Sequence, residues 1–425
     1  MRSANTSSMV RILSKILMCL VYVSASMPVM AQITFIQAGK LIDPASGSIQ
    51  NNINIVIEGQ KIVRVTKDQR IPENARVIDL SNLTVLPGLI DSHTHLCIIY
   101  ENTPNGGFHN AVKLDLLNVT SADYAFNGAY NAKRMLEAGF TRVRDVGNSR
   151  NWVNTSLKHA IDKGLIPGPK VYDSGMTIAP FGGQLKVTPE NESFPEKDFL
   201  IADTRDELLK AIRKNAHYGA DWIKIIADGQ RYRYSEDDIR SIVEEAGKAG
   251  MKVAAHCWDE PAAIAAISGG VTSIEHGMRM SDEVLQMAKD KGTWLVGTDF
   301  SKIVLNAFGY SELYPGIVDR LHRASKIGVK MAFGSDVVWE VEGYDRGSLI
   351  LTLLDTWIDA GISPENILRA MTSKAAELLS LEKECGTIRE SFAADIIATE
   401  GNPLENIKAL NNVRFVMKSG KIYKQ

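Results

Sequence analysis

Between residues 139 and 336 one pattern recurs: a glycine closes an amphipathic stretch, a short apolar run follows, and the run ends on a polar or ionisable side chain. Gly139 leads to "FTRVRD" and Asp145, Gly219 to "ADWIK" and Lys224, and Gly250 to "MKVAAH" and His256. Gly270 leads to "VTSIEH" and His276, and Gly328 to "VKMAFGSD" and Asp336. Helices that stop at glycine and hand over to buried strands build parallel β/α units. The helix signals between them are orderly. Ser235 with Asp238 forms a capping-box pattern, Pro261 sits in the first turn of the next helix, and a third opens at Ser281 and stops at Gly292. Strand-like runs near 85–95, 141–146, 170–178, 221–227, 252–256, 272–276, 293–298 and 329–335 number eight, which predicts an α/β fold of the (β/α)8 TIM-barrel type. Active sites of that fold lie at the C-terminal ends of the strands, where these polar residues fall. An open doubly wound sheet is the competing arrangement, but no glycine-rich phosphate loop follows the first strand.

A chain of 425 residues exceeds what one core serves, so a second, smaller unit is expected. Residues 32–84 and 386–425 both read as short strands with turn signals, and neither can close a sheet by itself. The expectation is a small β-sandwich domain composed of both segments, with the barrel over 85–385. Residues 1–31 carry Arg2, Arg11 and Lys15 ahead of an apolar run, then small residues ending at Ala31, the pattern of an export signal. This predicts a periplasmic or secreted protein with no stable membrane insertion once the signal is removed. Cys19 leaves with that segment, and the remaining Cys97, Cys257 and Cys385 are too few for a disulfide scaffold. The net charge of −2 offers no basic stripe for nucleic acid.

The chemistry starts at "VLPGLIDSHTHLC", 85–97. Its first half reads as a buried strand, and His93 and His95 follow two residues apart, so both imidazoles leave on one face. Such a pair beside Asp91 suits a divalent metal. The ordered set "DSHTHL", "DWIKIIADG", "VAAHC", "SIEHG" and "FGSD" resembles the amidohydrolase superfamily, nearest its imidazolonepropionase-like and Xaa-Pro dipeptidase-like branch. The resemblance implies that His93 and His95 bind the more buried metal with Asp336, and that His256 and His276 bind a second. It implies Lys224 bridging the two as a carbamate, and Asp336 as general base. Zinc suits the nitrogen and oxygen donors best, with cobalt or manganese as alternatives.

In that branch the third strand commonly ends in Gly-Gly-His, whereas this chain has Gly182-Gly183-Gln184, leaving an oxyanion donor that cannot shuttle protons. After Lys224, the segment bearing Arg231, Tyr232, Arg233 and Tyr234 is similar to the one that holds a substrate carboxylate in the peptidases. Arg144, ending the second strand, is a further candidate anion binder, while Trp339, Glu340 and Glu342 follow Asp336 into the last loop. The expected function is binuclear hydrolysis of a C–N amide bond in a small-molecule amide or peptide, a dipeptide or N-acyl amino acid, by a homo-oligomer. Alternatives are a cyclic-amide hydrolase, a mononuclear deaminase and a silent binding protein. A deaminase would carry Glu three residues beyond His256, where Asp259 stands.

Overall fold

The computed structural model describes residues 32–100, 107–147, 150–229 and 231–425; the expected export signal lies outside them. The chain opens with strands β1 (Ile33–Asp43), β2 (Ser48–Glu58), β3 (Lys61–Thr66) and β4 (Arg76–Pro87). It then turns at Gly88 into β5 (Leu89–Thr94). A Cβ at Gly88 would lie 2.1 Å from Thr141 Oγ1, so only glycine lets the chain pass this close to the next strand. The expected start of the barrel at residue 85 therefore shifts, because Val85, Leu86 and Pro87 still belong to β4 and pair with the C-terminal strands.

The parallel β/α part contains β5, β6 (Phe140–Asp145), β7 (Lys170–Asp173), β8 (Thr177–Ala179), β9 (Phe199–Ile201), β10 (Trp222–Ile226), β11 (Lys252–Cys257), β12 (Ser273–His276) and β13 (Trp294–Val296). β5 pairs with β6 and β6 with β7, all parallel. The third expected strand is split: β7 serves β6, while β8 serves β10 through Ile178 and Ile225. Parallel pairing then continues from β10 through β11 and β12 to β13. The eighth expected strand is held by single bonds. Leu295 N donates to Lys330 O at 2.8 Å, Ser92 N to Phe333 O at 2.8 Å, and Asp336 N to His93 O at 2.8 Å. These bonds return the chain to β5, as in a (β/α)8 barrel. Asp91 reinforces the seam by accepting from the backbone of His93 at 3.0 Å and Ser335 at 3.1 Å.

Alternation along β10 shows how this arrangement loads its axis. Ile223 and Ile225 go outward into the buried cluster that also holds Ile239, Ile242 and Ala246 of the helix Glu236–Lys248. Trp222 goes the other way into a plug with Ile90, Ala254 and Trp294, and Lys224 and Ile226 follow it upward. The expected capping box is present, with Asp238 N donating to Ser235 Oγ at 3.2 Å.

The last strands, β14 (Ile396–Thr399), β15 (Val413–Lys418) and β16 (Lys421–Lys424), join the first four in one seven-stranded sheet ordered β16-β15-β14-β4-β1-β2-β3. Both chain ends thus contribute, but to a single mixed sheet rather than to two packed ones. It rolls up on itself. Ala394 N donates to Gln60 O at 2.9 Å, bringing the β2–β3 turn back to the start of β14. The roll encloses Ile36, Ile55, Ile78, Ile396 and Phe415, which supplies a core without a second layer. No described helix is long and apolar enough to cross a membrane.

Candidate metal centre

Five of the expected ligand residues converge at the C-terminal ends of the strands. His93 and His95 have ring centroids 5.3 Å apart, His93 and His276 5.2 Å, and His256 and His276 4.5 Å. The Asp336 carboxylate reaches among them, with Oδ1 3.5 Å from His93 Nε2 and 3.3 Å from His95 Nε2, and Oδ2 3.7 Å from His276 Nδ1. Donor atoms of His93, His276 and Asp336 lie within 4.8 Å of one another, close enough to hold a metal ion.

Three of the four rings are oriented from behind. His95 Nδ1 meets Gly147 O at 2.8 Å, and His276 Nδ1 meets Thr298 Oγ1 at 2.8 Å. His93 Nδ1 meets Glu275 Oε2 at 2.6 Å, which leaves Nε2 buried with no hydrogen-bond partner among the described residues. A histidine backed by a carboxylate, with its other nitrogen bare, is what a metal requires. Burial also favours the neutral form of His93, His256 and His276: it drives His93 down to about 4, and His256 and His276 well below their usual value. Burial pushes the Asp336 carboxyl up, but His93, His95 and Lys224 outweigh it and hold the group below the usual carboxylate value.

Lys224 projects into the same cavity, and burial pushes its amine down to about 8. Three non-glycine residues here have left-handed backbones: His276 at φ 69°, Thr298 at φ 49° and Asp336 at φ 52°. Such residues cost about 1–3 kcal/mol each and cluster where function imposes them.

The cavity has a volume of about 430 Å³. Gln184 lines it, with Nε2 3.3 and 3.4 Å from the two nitrogens of His256, over the ring rather than along one lone pair. Trp339 lines it too, whereas Glu340 and Glu342 are exposed and stay outside.

The other expected substrate contacts are elsewhere. Arg144 is fully buried beneath the histidines, on the Trp222 ring, and donates to Glu275 Oε1 at 2.8 Å, Ser273 Oγ at 2.9 Å and Ser92 O. Its strand runs into the barrel axis below the mouth, so it meets an internal carboxylate instead of a substrate. Tyr234 is buried and donates to Ala202 O at 2.8 Å, while Arg231 and Tyr232 are solvent-exposed. None of these four lines the cavity. Asp145 is also structural, accepting from Leu96 N at 2.7 Å.

Sequence reasoning missed Glu275 and Asp228. Glu275 precedes a ligand histidine and links Arg144 to His93; burial raises its carboxyl, but Arg144 and His93 bring it below the usual value. Replacing it by alanine strands the Arg144 guanidinium, and stability should fall by about 3–5 kcal/mol in denaturant unfolding. A loss under about 1 kcal/mol would mean that Arg144 re-pairs without cost. Asp228 Oδ1 is buried, unpartnered among the described residues and 3.6 Å from His256 Nε2. Burial raises its carboxyl to about 6. The apolar part of the wall, from Phe300 to Leu313, was also unforeseen.

Comparison with known proteins agrees with this geometry. The family model described as the amidohydrolase family matches residues 84–423. A crystal structure of a Xaa-Pro dipeptidase with bound methionine in the active site superposes with a TM-score of 0.82 at 30% identity, covering 93% of this chain and 100% of that one. Ochratoxinase of Aspergillus niger is 28% identical over 93% of this chain and 87% of its own length. Imidazolonepropionase of Symbiobacterium thermophilum is 27% identical over 76% of each chain. With the expected ligand residues gathered at the strand ends, the chain belongs to the amidohydrolase family, in the branch of the imidazolonepropionases and Xaa-Pro dipeptidases, and is a hydrolase of amide bonds.

Proposed function

We propose that the chain is a binuclear metal-dependent hydrolase cleaving the C–N bond of a small, dipeptide-sized amide. The observation carrying this reading is His93, with one buried ring nitrogen committed to Glu275 and the other bare and facing Asp336. His93, His95 and Asp336 would hold one cation, and His256 and His276 the other, with zinc best suited to these donors. Lys224 would stand between them as its carbamate: the neutral amine adds to carbon dioxide and releases a proton. Its lowered pKa supports this, because more of the amine is uncharged near neutral pH than in an ordinary lysine.

Bound divalent ions supply acidified water and a polarised carbonyl. The chain's own groups supply orientation and proton transfer. Glu275 fixes the His93 tautomer. Asp336, an ionised carboxylate, would accept the proton of the attacking water and return it to the departing nitrogen. Gln184 can donate its amide N–H to the oxyanion that develops.

The deaminase alternative loses its support at Asp259. That carboxylate caps the helix Glu260–Gly269, accepting from Ala262 N at 2.9 Å, and pairs with Arg233 at 2.6 Å. The finer expectation of a dipeptide or N-acyl amino acid rested on a carboxylate clamp of Arg144, Arg231, Tyr232 or Tyr234, none of which reaches the cavity.

Chelation should abolish hydrolysis in a chromatographic screen of dipeptides and N-acylated amines, and zinc should restore it, with about two metals per chain by elemental analysis. Full turnover in a chain stripped of metal would end the proposal.

A further inference from the structure

The cavity is chemically lopsided. One side holds the polar cluster; the other is built by Tyr100, Phe300, Leu305, Phe308, Leu313 and Trp339. Trp339 is the centre of that side, with ring centroids 3.6 Å from Phe308, 6.0 Å from Phe300 and 6.3 Å from Tyr100. Much of it comes from the helix Lys302–Phe308 and the turn that follows, a segment that also carries the exposed Glu312 to the cavity edge. The charged side chains on the described wall are Asp228, Glu312, Asp336 and Lys224, and Lys224 stands in the polar cluster near Glu275 and Asp336. No arginine lines it among the described residues. The undescribed internal stretches 101–106, 148–149 and 230 contain neither lysine nor arginine; those of residues 1–31 lie in the expected export signal. A carboxylate seated on the aromatic side would lose water without gaining a cation, and would meet Glu312 as a like charge.

We propose that the substrate of this cavity is an amide whose bulky aromatic or branched apolar group packs on the Trp339 side and carries no free carboxylate beside it. Glu312 sets this preference. An amide of an arylalkyl amine or of an arylalkanoic acid fits, neutral or with a free amino group, and an N-acyl amino acid does not. The inference rests on the amide-hydrolase reading and narrows its substrate class.

Two matched pairs test it with the zinc-loaded chain: N-acetylphenethylamine against N-acetylphenylalanine, and the N-methylamide of 3-phenylpropanoic acid against 3-phenylpropanoylglycine. In each pair that is hydrolysed, the member without carboxylate should have a kcat/KM about tenfold or more higher, the expected scale for an unpaired charge against an apolar wall. Glu312→Lys should narrow the gap by raising hydrolysis of the acids. Equal or better hydrolysis of the acids by the unaltered chain would overturn the inference while leaving amide hydrolysis intact.

Calorimetric binding of the same four compounds, to the loaded and the chelator-treated chain, decides the case without turnover. The chelated arm removes any direct ligation of metal by a carboxylate. Weaker binding of the acids to the chelated chain supports the inference, whereas equal or tighter binding, or no binding of any compound, overturns it. Binding without hydrolysis at full metal content would count against the amide-hydrolase reading instead.

Discussion

Asp336→Asn should lower kcat by about 100-fold to 10,000-fold, the range for removing a positioned general acid–base, with the fold retained. Asparagine has nearly the same shape and is among the few side chains that accept the left-handed backbone, here at φ 52°. The variant therefore separates chemistry from folding more cleanly than alanine would. It keeps an oxygen near His93 and His95 but cannot take a proton. Steady-state kinetics beside a thermal melt make the check: the melting temperature should hold while kcat collapses, and the acidic limb of the pH–rate profile should vanish. A kcat within tenfold of the unaltered chain would remove Asp336 from proton transfer.

Lys224→Ala should be nearly as damaging, by another route. The side chain is buried with no ion pair within 4.0 Å among the described residues, so truncation breaks no direct pair, although Glu275 and Asp336 lose a cation that helps hold them ionised. Stability should change little or rise, because a desolvated amine has gone. What is lost is the group proposed to link the two cation positions. Metal content should fall below about two per chain and kcat/KM by about 100-fold or more, since a bound cation contributes several kcal/mol at the transition state. Elemental analysis and mass spectrometry of the intact chain, which would show one added carbon dioxide on the unaltered protein, check this directly. Retained activity with full metal content would refute the carbamate.

The difference between what the sequence disclosed and what it concealed is a difference in range. His93 and His95 are two residues apart on one strand end, so their common direction follows from the pleat. His256, His276 and Asp336 each close a β/α repeat, and the barrel expectation places all such ends on one rim. Arg144 closes a repeat as well, but its side chain turns inward to Glu275, 131 residues away, and only the closed ring brings the two together. Tyr234 failed for a related reason, because its hydroxyl is used by Ala202, a backbone carbonyl that no local pattern announces. The aromatic wall was hidden because the segment 300–313 has the composition of any amphipathic surface helix. The expected sandwich became a rolled sheet because strand count does not reveal curvature. Val85 to Pro87 moved out of the barrel because an apolar run carries no mark of where one sheet ends and the next begins, except at Gly88.

The seven-stranded sheet has a consequence for biosynthesis. β4 lies between β1 and β14, so one of its edges waits for a strand that is translated about three hundred residues later. Emerging from the ribosome, the chain presents an apolar edge that nothing yet made can cover, at a stage when the barrel helices are still being polymerised. Completion of the sheet waits until β14 has been made. A nascent chain stalled before Ile396 should be held by chaperones, and release of the last strands should be the step that frees it.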